Sequence, residues 1–165
     1  MLLEDFIIKN SFYVKKVYIL AVILVFCLSA YAGASTVSFL VVETGVSENQ
    51  RIYQHSIIWE NALLDVFFEA GYIVSNDQLL QLEKLPQGDI FQLVDLDEVR
   101  NGGVDYMIIA ALEYFGEVQL PKDISLYVYR VNPVERIHQN TVSQRPRNDL
   151  NEVKSITRGL VNYVR

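Results

Sequence analysis

The residues of this 165-residue chain equipped for acid–base, nucleophilic or metal chemistry are few and poorly grouped. His55 and His138 are the only histidines, and neither belongs to an H-E-x-x-H or H-x-x-x-H pair. Without a cysteine beside them, a zinc site would have to be assembled entirely in space, so each reads as an ordinary surface or helix-face histidine. The run Asp95, Asp97, Glu98 reads as the solvated face of a helix. Glu113 and Glu117 flank Tyr114 and Phe115 at the end of an apolar run, the edge at which α/β sheets bind ligands, but spacing alone does not tune a carboxylate pair. The loop "ETGVSENQ", Glu43 to Gln50, follows a strand with one glycine, yet has neither G-x-x-x-x-G-K-[ST] nor G-x-G-x-x-G to cradle a phosphate. These residues give no catalytic side chain, no metal ligand set and no cofactor.

The elements that would carry them alternate strand and helix. "TVSFLVVE", Thr36 to Glu43, is apolar on both parities, as a strand buried on both faces must be. Ser47 and Gln50 have capping-box spacing for a helix over Asn49–Ala70, with Ile52, Trp59, Leu63, Val66 and Ala70 near one face and Gly71 as its stop. Tyr72–Val74 reads as a short strand. Ser75-Asn76-Asp77 is placed to cap a helix over Gln78–Leu85, Pro86-Gln87-Gly88 turns the chain, and a helix opening at Asp89 ends at Asn101-Gly102-Gly103. The paired glycines supply a left-handed exit into the central strand Val104–Leu112, with Asp105 at its mouth.

The last third changes period. Ile124–Val131 alternates Leu126, Val128 and Arg130 against Ser125, Tyr127 and Tyr129, a strand with one face less deeply buried. Asn132-Pro133 turns it, Arg136–Val142 returns antiparallel, and "SQRPRN" is a polar loop. Asp149 and Glu152 then open a helix whose stripe is Leu150, Val153, Ile156, Leu160, Val161 and Val164. The expected fold is α/β, one domain with a mixed sheet covered by helices, in the order β-α-β-α-α-β-β-β-α.

Part of the 51% hydrophobic content belongs to "VYILAVILVFCLSA", Val17 to Ala30, which follows Lys15-Lys16 and precedes Ala30-x-Ala32. A basic flank, a short apolar core and small residues in A-x-A spacing describe a secretory signal cleaved after Ala32. The expected division is therefore a signal segment at 1–32 and one α/β domain at 33–165, located in the periplasm. An uncleaved anchor is the first alternative. A lipoprotein through Cys27 is the second, although bulky Phe26 fits a lipobox poorly. Cleavage after Ala32 would remove Cys27, the only cysteine, and with it disulfides and thiolate chemistry.

"TVSFLVVE", "LLDVFFEAGYIVSNDQLLQL", "GGVDYMIIAALEYF" and "LYVYRVNPVERI", followed by a terminal amphipathic helix, resemble the periplasmic α/β domain of the TolB amino-terminal region, CsgG and LpoB-type envelope accessory proteins. Gly103, Asp105 and Tyr106 match the G-x-D-Y part of that pattern. The resemblance spans nearly the whole chain after the leader, through short and mostly structural motifs. The chain departs from the pattern in having no pair of alternating apolar hairpins for a channel, no convincing lipobox and no following β-propeller. The resemblance implies a small exported adaptor that binds other envelope proteins to assist assembly or regulation of an envelope machine without turning over a substrate. A periplasmic small-ligand domain, and after it a hydrolase using Glu113 or Glu117, are the alternatives.

Charge adds a surface. Thr36 to Leu120 holds three basic against fourteen acidic residues, whereas Pro121 to Arg165 holds eight basic against four acidic. Arg145, Arg147 and Arg158 therefore mark a basic rim, read most simply as solvated and otherwise as facing an anionic partner, membrane headgroups or a neighbouring copy's acidic face; Tyr127 and Tyr129 are either a packed core edge or an aromatic strand face for the alternative contact. A net charge of -6 disfavours nucleic acid.

Overall fold

The computed structural model describes residues 34–45, 53–115, 120–142 and 149–164. The chain divides at Ala34/Ser35, and the architecture below is that of the unit Ser35–Arg165. Among the described residues the strands are β1 (Thr36–Thr44), β2 (Ile73–Asn76), β3 (Leu80–Leu82), β4 (Tyr106–Glu113), β5 (Asp123–Arg130) and β6 (Glu135–Thr141). The helices are α1 (Gln54–Glu69), α2 (Leu96–Asn101) and α3 (Leu150–Arg158), with 3-10 turns at Ile90–Leu93 and Gly159–Tyr163. No helix among the described residues is long and apolar enough to cross a membrane.

One mixed sheet holds all the strands, in the order β2-β1-β4-β5-β6, and β3 also pairs with β1. β2, β3 and β4 run parallel to β1, whereas β5 and β6 are antiparallel additions. The continuous apolar runs of β1 and β4 follow from their central place. Val37, Phe39 and Val41 with Ile108, Ala110 and Leu112 join Trp59, Leu63 and Phe67 of α1 and Val153 of α3 on one face. Leu40, Val42, Met107 and Ile109 join Ile90, Phe91 and Val99 on the other. The sheet is thus buried on both sides between α1 with α3 and the turn with α2, the situation that removes alternation from a strand sequence.

Both glycine stops form as expected. Gly71 has φ +89° and Gly103 has φ +68°. After α1, the Gly71 N–H donates to the Phe68 carbonyl and the Tyr72 N–H to that of Phe67; after α2, Gly103 and Val104 donate to Arg100 and Val99. This paired pattern is the Schellman motif, and the Phe67–Tyr72 ring contact at 5.5 Å supplies its apolar clasp. Asp105 then ties the mouth of β4 to β1: its N–H donates to the Thr36 carbonyl and its Oδ2 accepts from the Thr36 N–H, each at 2.9 Å.

Three expectations need correction. Helix α1 starts at Gln54 with Tyr53 as its N-cap, not at Asn49; Ser47 and Gln50 lie outside the described residues. The segment expected to be a helix over Gln78–Leu85 instead contains β3, because Leu80–Leu82 completes the edge of β1 opposite Val42–Thr44. The helix expected from Asp89 is divided: Asp89 caps the 3-10 turn, Val94 is extended, and Asp95 caps α2 afresh by accepting from the N–H groups of Asp97 and Glu98 at 3.1 Å. Each aspartate satisfies helix-terminal donors that one uninterrupted helix would have bonded internally.

Candidate functional site

The parallel strands β3, β1 and β4 all end at one edge of the sheet, and a cleft of about 390 Å³ lies across those ends. Gly45 and Tyr114 continue the two central strands: the Gly45 N–H donates to the Glu83 carbonyl at 3.1 Å, and the Tyr114 N–H to that of Thr44 at 2.8 Å. This close approach requires glycine. Gly45 has φ +75°, and a β-carbon there would stand 2.0 Å from the Tyr114 carbonyl oxygen. Leu85 and Phe115 give the cleft apolar walls, Phe115 being 76% exposed. Glu83, Lys84 and Glu113 give it a charged rim.

Behind the cleft lies a buried polar cluster that no motif announces. Glu43, the last residue of the "TVSFLVVE" run, is fully buried. Its Oε1 accepts the Tyr53 N–H at 2.9 Å, and its Oε2 accepts Gln81 Nε2 at 2.7 Å. The carboxylate thus meets the N-terminus of α1, where the helix dipole favours negative charge. Tyr53 stacks on Tyr114 with ring centroids 4.1 Å apart, and the Tyr114 hydroxyl pairs with Ser56 Oγ at 2.8 Å. Burial, followed by the nearby Glu43 charge, pushes the Tyr114 phenol far above its ordinary range despite that bond, so it remains neutral. The only signal for this cluster in the sequence was a glutamate closing an apolar strand.

Other residues singled out by type are scattered. His55 is buried in the first turn of α1, on a helix face and not at the surface, while His138 of β6 stacks on Tyr163 at 3.7 Å. Asp97 and Glu98 are exposed on α2, as expected, and Asp95 is exposed as its N-cap. No group of three or more metal-ligating side chains occurs among the described residues. Glu113 is exposed at the cleft, and Glu117 lies outside the described residues.

The expected contact residues fare unevenly. Arg145 and Arg147 lie outside the described residues. Arg158 is exposed, but its guanidinium stands 4.0 Å from Glu69, and Lys154 one turn earlier meets Asp65 at 2.8 Å and Glu69 at 3.5 Å. The sign reversal along the chain is thus partly answered within the molecule, basic α3 lying on acidic α1. Tyr127 is half-buried against the α2 side of the sheet. Tyr129 must be removed from the contact surface. It is 1% exposed, packs on Phe91 at 4.8 Å, and donates its hydroxyl to Asp89. The turn that Asp89 opens covers that end of β5, which is why the alternating pattern misreads it.

No family model matches the chain, and no curated protein matches it. Among solved structures, a PelC dodecamer from Paraburkholderia phytofirmans is similar at 11% identity and a TM-score of 0.45, covering 80% of this chain and 90% of that one. TolB from Acinetobacter baumannii is similar at 8% identity and a TM-score of 0.41; 79% of this chain is covered, but only 27% of TolB. The LpoB C-terminal domain from Salmonella enterica shows 15% identity and a TM-score of 0.33, with 72% and 90% covered.

Proposed function

We propose that this protein is an exported adaptor that binds other cell-envelope proteins, or copies of itself, and assists assembly or regulation of an envelope machine without turning over a substrate. The observation that carries the binding reading is Phe115. A phenylalanine 76% exposed, sharing a cleft with half-exposed Leu85 and rimmed by charge, leaves in water an apolar surface that a partner side chain would cover. Export rests on the leader: Lys15-Lys16, the apolar run and Ala30-x-Ala32 have the order of a secretory signal.

Two measurements test this. Intact-mass analysis of the protein recovered from cells is expected to show a chain beginning at Gly33; the full leader, or Cys27 carrying acyl mass, overturns the cleavage. A photoreactive residue at position 115 is expected to yield protein adducts in the intact envelope, while one at Gln139 on the outer strand does not. Equal labelling at both positions overturns the contact surface.

A small-ligand domain is a second reading that the same cleft favours, because it lies at the carboxyl ends of parallel strands. Thermal shifts against a metabolite panel separate the two: a ligand that raises the melting midpoint of wild type and not of Phe115→Ser supports the second.

A further inference from the structure

We infer that the cleft at the ends of β3, β1 and β4 receives a cationic partner segment, seating an apolar side chain against Leu85 and Phe115 and a lysine or arginine at the carboxylates beside them. The inference rests on the adaptor reading and names the chemistry of its partner. The apolar half follows from the exposure of Phe115 and Leu85 in one cleft. The cationic half follows from charge. Among the described residues, Glu83 and Glu113 stand on the rim against a single lysine, Lys84. Glu113 is moreover directly opposite Asp123 in the antiparallel β4–β5 pair. Like charges facing one another across strands are unfavourable, and the exposed Lys122 ammonium stands 3.5 Å from Asp123. An arriving cation relieves this repulsion, whereas an anionic segment adds to it. Exposed charges act across about 8 Å at physiological ionic strength, so the preference weakens as salt rises.

The test uses the full chain and two fluorescein-labelled heptapeptides of equal apolar content, one carrying lysine and the other glutamate at alternate positions, with binding read by anisotropy. The lysine peptide is expected to bind roughly ten-fold tighter. Phe115→Ser and Glu113→Gln should each weaken it several-fold without changing the circular dichroism or melting midpoint, and Glu135→Gln on distant β6 should leave it unaltered. Equal affinity for the two peptides, tighter binding of the glutamate peptide, or indifference to Phe115→Ser overturns the inference. Should position 115 capture an envelope protein while the lysine peptide fails to bind, the cationic assignment falls and the adaptor reading stands.

Discussion

At the scale of residues, two glycines with similar backbone angles carry different constraints. Gly103 has φ +68° and open space where a β-carbon would stand, so Gly103→Ala meets only the backbone penalty, about 1 kcal/mol. Gly45 adds a collision with the Tyr114 carbonyl to its positive φ, and Gly45→Ala is expected to cost at least ~2 kcal/mol, the difference being read by chemical denaturation. Asp77 makes a contrasting case in pH. Burial, then the Glu98 charge, holds its pKa above the ordinary carboxylate value. The folded state therefore favours its protonated form, a contribution present below the unfolded pKa and lost as pH rises through the folded one. Asp77→Asn should accordingly stabilise the fold near neutrality, by ~0.5 kcal/mol given its partial exposure, and the gain should vanish below about pH 4 in melting experiments.

At the scale of elements, the N-terminus of α1 depends on a side chain from β1. Glu43 accepts from the Tyr53 backbone and from Gln81 of β3, so one carboxylate joins a helix start to two strands. Glu43→Leu roughly keeps the volume but leaves two part-buried donors without this acceptor, and is expected to cost about 1–3 kcal/mol, with hydrogen exchange accelerating first in the opening turn of α1. Glu43→Gln should lose less, since its amide oxygen still accepts one bond. Asp89 joins elements similarly. Burial alone would raise its pKa, but the Tyr129 hydroxyl, the Phe91 N–H and Arg136 together hold it below the usual range. With a lowered folded pKa its contribution is present above the unfolded value and lost as pH falls through the folded one. Asp89→Asn should therefore destabilise near neutrality and match wild type in acid, a sign opposite to that of Asp77→Asn under the same titration.

At the scale of the molecule, the acidic first part and basic last part meet where α3 lies on α1. Lys154, whose ammonium pKa is raised first of all by its bond to Asp65, stands with Arg158 against the acidic side of α1. Arg158→Glu is therefore expected to lower the melting midpoint at low salt and lose that effect at high salt, in addition to any change in partner association. An unchanged midpoint would return Arg158 wholly to the surface rim.

The sequence by itself determined the α/β class, both helix stops and the central place of β1 and β4, because these are local: a glycine's freedom at positive φ, or apolar residues on both parities, needs no knowledge of the rest of the chain. Only the tertiary structure decided the identity of Leu80–Leu82, whose neighbours read as a helix but whose backbone groups complete an edge that β2 leaves half covered. It also decided the burial of Tyr129, of His55 and of Glu43, for the same physical reason. Alternation assigns a residue to a side of its own element, but whether that side meets water depends on what distant segment covers it, here the turn opened by Asp89 and the first turn of α1.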